Sequence, residues 1–127
     1  MSPGVQDRER GVAAVEFALV VPLLLVLIMA IVEFGFRYEK NTVANNAALI
    51  AARDMSINHD VAKAKAAAIA AGVPSAASVT IDKTATTCVS GASVTVTITA
   101  TMASVTKAFG STFPISGKAV ARCDGAP

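Results

Sequence analysis

Hydrophobic side chains are concentrated in one long run near the start of the chain. No charged residue occurs between Phe17 and Val32, a run of 16 residues, which is slightly short of the roughly 20 that a membrane-spanning helix needs. Counted from Val12 to Phe36, the segment would extend about 37 Å as a helix and would cross a bilayer with some tilt. The pattern therefore predicts a transmembrane helix over residues 12–36.

The helical pattern continues beyond this span. A stripe of small or flexible side chains recurs at helical spacing and consists of Ala44, Ala47, Ala48, Ala51 and Met55. A helix from Val12 to Met55 would be about 66 Å long, too long for a bilayer alone. We therefore expect residues 37–56 to form an extracytoplasmic extension that packs on the chain's own head, or alternatively on the helix of a neighbouring subunit. Asn41, Asn45 and Asn46 should face more polar surroundings.

A short second helix is predicted over residues 61–71. It follows a break at residues 56–60, in which Asp60 is a suitable N-cap, and it ends before Gly72. His59 also lies in the break. No cysteine or carboxylate cluster at ligand spacing accompanies this histidine, so we do not expect it to bind a metal or to act in catalysis.

The remaining chain alternates between hydrophobic and polar positions, which is typical of strands. A first strand includes residues 79–81, the clearest strand covers residues 94–101, and a last strand covers residues 115–123 after a loop at residues 110–114. These strands predict an antiparallel sheet whose apolar face is covered by the alanine stripe. The expected fold is α+β, with a small head at residues 57–127.

Composition and charge argue against several classes of function. The formal net charge is +2 and there is no tryptophan, so nothing indicates nucleic acid as a partner. No phosphate-binding glycine loop, nucleophile elbow, metal motif or carboxylate pair is found. We expect neither an enzyme nor a cofactor nor a small-molecule substrate, and we expect function to reside in assembly.

The start of the apolar run carries several motifs together. In chain order they are Arg10-Gly11, Val12-Ala13-Ala14, Val15-Glu16-Phe17-Ala18, Pro22-Leu23-Leu24-Leu25 and Glu33-Phe34-Gly35. The spacing from Gly11 to Glu16 and Phe17 resembles the cleavage motif of type IV prepilin-like proteins, which a membrane aspartic peptidase cuts after the glycine. The whole segment is similar to the TadE-like pseudopilins of the tight-adherence (Tad/Flp) pilus system, and this resemblance covers about a third of the chain closely.

The resemblance implies that residues 1–11, a hydrophilic segment that we expect to be flexible, are a leader removed by the prepilin peptidase. Cleavage would leave Val12 with an α-amino group that is largely cationic at neutral pH. A carboxylate inside the bilayer costs roughly 2.5 kcal/mol or more unless it is paired or protonated. Glu16 has two possible partners, the amine of its own helix or, as the resemblance implies, that of a neighbouring subunit. Alternatively, the span begins at Phe17 and Glu16 lies among the lipid head groups.

Two further positions in the span have more than one interpretation. Pro22 removes a helical hydrogen bond, which would produce either a bend that lets subunits pack in a filament or a harmless kink. Glu33 precedes Arg37 by four residues, a spacing typical of an ion pair within one helix, here at the far membrane surface. The aromatic residues near it suit a membrane interface and are Phe34, Phe36 and Tyr38.

Cys88 and Cys123 are the two cysteines of the chain and lie at the ends of predicted strands. In a small exported head, two cysteines predict one disulfide. Two inert thiols are the alternative.

We therefore expect a minor pilin or pseudopilin that is processed after Gly11 and takes part in assembly of a Tad-type pilus for adherence. It should lie in the bacterial inner membrane with its N-terminus cytoplasmic and its head extracytoplasmic. Its expected partners are the prepilin peptidase, other pilins and the pilus assembly machinery. A second hypothesis is an unprocessed, single-span module whose head binds an extracytoplasmic partner. A secretory signal peptide is a weaker alternative, because its apolar region is usually only about 7–15 residues long.

Overall fold

The computed structural model describes residues 3–84 and 86–124. Its elements are, in chain order, helix α1 (Pro3–Asn58), helix α2 (Val61–Ala70) and strands β1 (Ser78–Ile81), β2 (Ser93–Ala103) and β3 (Thr112–Arg122). The strands form one antiparallel sheet in the order β1-β2-β3. The predicted α+β fold, with a long helix, a short helix and three strands, is confirmed.

Helix α1 begins earlier than the sequence pattern predicts. It starts at Pro3, so residues 3–11 are helical, whereas the pattern predicts a helix only from Val12. Proline is well suited to a first helical position, where its fixed φ is already helical and its missing N–H would have had no partner. Arg8 and Glu9 then favour continuation of the helix. Removal of residues 1–11 as a leader is a separate expectation and stays a prediction.

The junction between the two helices is shorter than predicted. Helix α1 continues to Asn58, and Ser56, which we placed in the break, is still helical, with its hydroxyl donating to the carbonyl of Arg53 at 2.8 Å. The chain turns at His59, which has a φ of 53°. Asp60 is the predicted N-cap of α2, and its carboxylate accepts from the backbone N–H groups of the second and third helical residues.

The last strand begins earlier than predicted. Strand β3 starts at Thr112, and Pro114, which we assigned to the preceding loop, is paired with Thr101 of β2. Proline is tolerated because β3 is an edge strand, in which one side of the backbone needs no partner strand. The loop between β2 and β3 is therefore residues 104–111.

The core lies between the sheet and the C-terminal half of α1. Both predicted patterns contribute, since the apolar face of the sheet meets the alanine stripe of the helix. The fully buried residues from α1 and β2 are Ala44, Ala47, Ala48, Ala51, Ala52, Met55, Val94, Val96 and Ile98. The prediction that the helix extension packs on the chain's own head is confirmed.

Candidate functional site

The N-terminal half of α1 is bare, in the sense that the rest of the chain does not cover its side chains. None of the residues in its most apolar 18-residue stretch is buried, and large side chains such as Phe17, Leu23 and Ile31 are mostly exposed. Exposed apolar surface on this scale marks a site of contact with lipid or protein. The helix is long and apolar enough to cross a membrane. This surface is therefore the first part of the candidate site.

The residues of the predicted processing and assembly motif all lie on this exposed helix. Gly11 has open space around it, and Val12, Glu16 and Phe17 are exposed. Within the described residues, no cation lies within ion-pair distance of Glu16. In the full-length chain the nitrogen of Val12 is an uncharged peptide amide.

Pro22 lies within the exposed segment, and α1 continues through it. A continuous helix is compatible both with a filament-specific bend and with a harmless kink at this proline. The role of Pro22 stays a prediction.

Glu33 marks the end of the bare segment. Its carboxylate accepts from the backbone N–H of Thr106 at 3.1 Å, from the Thr106 hydroxyl at 3.0 Å and from Arg37 at 3.4 Å. The predicted pair with Arg37 is confirmed, but Glu33 is only 3% exposed, so it is more than a surface ion pair. Its buried charge is stabilised by three donors, two of them from the loop between β2 and β3.

Arg37 makes further contacts between α1 and the head. Its guanidinium donates to the carbonyl of Phe109 at 3.4 Å and lies 5.1 Å from the ring centroid of Phe113. The Phe113 ring also makes an edge-to-face contact with Phe36, with 5.9 Å between centroids. The 104–111 loop is therefore fixed to α1 by polar contacts, and the adjoining start of β3 by aromatic contacts, where the apolar helix meets the head.

The next contact along α1 involves the outer edge of β3. The side-chain carbonyls of Asn41 and Asn45 accept from the backbone N–H groups of Ser116 and Lys118, each at 3.1 Å. The sequence predicts polar surroundings for these asparagines. In the structure those surroundings are the backbone N–H groups at the outer edge of β3. Between the two bonds lies Gly117, where an added Cβ would overlap the backbone of α1. The helix thus covers an edge that would otherwise be open to pairing with another strand.

The opposite end of the head is closed by the predicted disulfide between Cys88 and Cys123, whose Cα atoms are 5.4 Å apart. The Cys88 sulfur lies 3.8 Å from the carbonyl oxygen of Met55, so the disulfide packs against the C-terminal end of α1. His59 is buried nearby, and its Nε2 donates to the carbonyl of Asp124 at 3.1 Å. The histidine therefore has a structural role in tying the helix junction to the end of the sheet. Among the described residues, no cluster that could hold a metal is found.

A long helix with an exposed apolar N-terminal half, and with its C-terminal half packed into a small head that contains a disulfide, fits a protein anchored in a membrane. The comparison with known families is more specific: a family model described as TadE-like protein matches residues 11–53. The likeness to TadE-like proteins that the motifs predict is thereby confirmed over residues 11–53, about a third of the chain, which contain the bare segment and the alanines of the stripe. TadE-like proteins are associated with the Tad pilus system. No curated protein and no solved structure matches the chain.

Proposed function

We propose that this protein is a minor pilin or pseudopilin that the prepilin peptidase cuts after Gly11 and that joins other pilins in assembling a Tad-type pilus for adherence. The observation that carries the proposal is the TadE-like match over residues 11–53. The exposure of the whole motif on a bare helix supports it, since a peptidase and other subunits must both reach this surface.

The proposed organisation has four parts. Residues 1–11 are the leader, residues 12–36 the membrane span, residues 37–56 the helix extension and residues 57–127 the head. The disulfide supports an extracytoplasmic head, because such bonds persist in oxidising compartments. The N-terminus is then cytoplasmic, and the membrane is the bacterial inner membrane.

Glu16 is the proposed assembly residue. After cleavage, the α-ammonium of Val12 and the carboxylate of Glu16 are opposite charges at the edge of the bilayer, where each is costly alone. In a stack of subunits, the carboxylate of one chain meets the ammonium of the next and fixes their register. Phe17 follows directly and packs its exposed ring against the neighbouring helix.

The test is Glu16→Gln in the full-length chain. The substitution keeps size and helix but leaves a buried cation without its anion, a loss on the order of 3 kcal/mol per contact. We expect mature-length protein in the membrane, with incorporation into filaments and pull-down of other pilus subunits both lost. Glu39→Gln is the matched control, because Glu39 is an exposed carboxylate beyond the span. Filament incorporation of the Glu16 variant at the wild-type level would refute the pairing.

A further inference from the structure

The 104–111 loop lies at a defined depth relative to the apolar helix. It is bonded to Glu33 through Thr106, and Glu33 directly follows the charge-free run that ends at Val32. Phe109 reaches further, since it lines a crevice together with Ala30 and Phe34. Ala30 is three residues before Glu33, so it lies about 4.5 Å deeper along the helix. The loop therefore extends alongside the end of the span.

The loop carries two exposed apolar side chains beside the exposed apolar helix. Val105 is 53% exposed and Phe109 is 50% exposed, and neither residue belongs to the buried core. Lys107 lies between them at a φ of 56°. Such a pair beside a cation suits a membrane interface, where apolar side chains are buried at the head-group boundary and cations attract anionic lipid.

Lys107 is the cation of this region that takes part in no ion pair among the described residues. Arg37 is paired with the Glu33 carboxylate, which also accepts from Thr106. On α1, the exposed rings of Phe34 and Tyr38 lie beside this region and suit the aromatic belt of a membrane surface.

We infer that the 104–111 loop is a second membrane contact, in which Val105 and Phe109 enter the interfacial layer and Lys107 meets anionic phospholipid head groups. The inference rests on the membrane anchoring of α1 proposed above. Lipid is the occupant that the geometry favours over a second copy of the chain, because the Glu33–Thr106 bonds hold the loop at the depth where α1 leaves the hydrocarbon. The contact would fix one orientation of the head on the membrane.

Single tryptophans test this inference, since the chain contains none. Phe109→Trp, Leu24→Trp and Val89→Trp are compared in the full-length protein reconstituted in phosphatidylcholine–phosphatidylglycerol vesicles with brominated lipid. Leu24 lies in the middle of the apolar run and Val89 is an exposed residue next to Cys88. We expect blue-shifted, lipid-quenched emission from Trp at positions 24 and 109 and unquenched, red-shifted emission at position 89.

The outcomes distinguish a failure of the proposed loop contact from a failure of the membrane anchoring of α1. Emission at position 109 like that at position 89, with position 24 quenched, would overturn the loop contact and leave the anchor intact. Blue-shifted but unquenched emission at position 109 would show that protein rather than lipid covers this side chain and would also overturn it. Absence of quenching at position 24 would refute the anchoring itself. Quenching at position 109 should rise with the phosphatidylglycerol fraction, and a rise that persists in a Lys107→Gln background would overturn the head-group contact.

Discussion

Gly117 in β3 lies directly against the backbone of Ala44 in α1, with no space for a side chain on the glycine. The alanine stripe allows the helix to approach the sheet this closely, and the glycine completes the contact from the other side. The bonds from Asn41 and Asn45 to β3 on either side of Gly117 require the same short distance. The position of the head on the helix therefore depends on small side chains at both surfaces.

Gly117→Ala should destabilise the head. The added methyl overlaps the helix backbone, which cannot move as a flexible side chain would, and overpacking of this kind costs about 1–3 kcal/mol. Thermal unfolding of the full-length protein in detergent, followed by circular dichroism, should show a lower midpoint. Gly35→Ala is the matched control, since that glycine has open space around it, and it should not lower the midpoint. Equal midpoints for the Gly117 variant and wild type would contradict the close contact.

Thr106→Val should loosen the membrane-proximal loop. The valine keeps the shape but removes the hydroxyl donor to Glu33, and a hydrogen bond to a charged group contributes about 1.5–3 kcal/mol. Amide hydrogen exchange in residues 104–111 should become faster, while exchange in β1 stays unchanged. Thr106→Ser restores the hydroxyl and should restore slow exchange. If the valine and serine variants exchange alike, the hydroxyl does not hold the loop.

Cys88→Ser should lower the thermal stability of the head and leave one alkylatable thiol at Cys123. The disulfide closes a loop with a sequence separation of 35 residues, which corresponds to about 4 kcal/mol in the chain-entropy model. Mass spectrometry after alkylation without reductant gives the thiol count. Two reactive thiols in the non-reduced wild-type protein would show that the disulfide does not form.

The sequence predicts those parts of the fold that depend on local periodicity. Helical spacing identifies the alanine stripe, alternation identifies β2, and the count of two cysteines identifies the disulfide. The Glu33–Thr106 contact could not be found in this way, because its partners are 73 residues apart and the loop has no periodic pattern. Asn41 and Asn45 were likewise interpreted only as polar positions, since nothing local shows that a strand edge lies opposite them.

The candidate site likewise has one part that the sequence identifies and one part that only the fold brings together. The motif from Gly11 to Phe17 is contiguous, so the sequence suffices to identify it, and the structure adds that its residues are exposed. Its use in processing and assembly involves other proteins and stays a proposal. The loop beside Glu33 becomes a candidate surface only once the fold brings it to the end of the span.

The central claim, that the chain is a processed pilin-like subunit, is tested most directly by the first residue of the protein isolated from membranes of cells with an active prepilin peptidase. Loss of residues 1–11, read by N-terminal sequencing and intact mass, should leave Val12 as that residue. A Gly11→Phe variant should remain full-length in the membrane, because a bulky side chain blocks close approach to the backbone that glycine permits. Met1 or Ser2 as the first residue of the wild-type membrane protein would contradict the account.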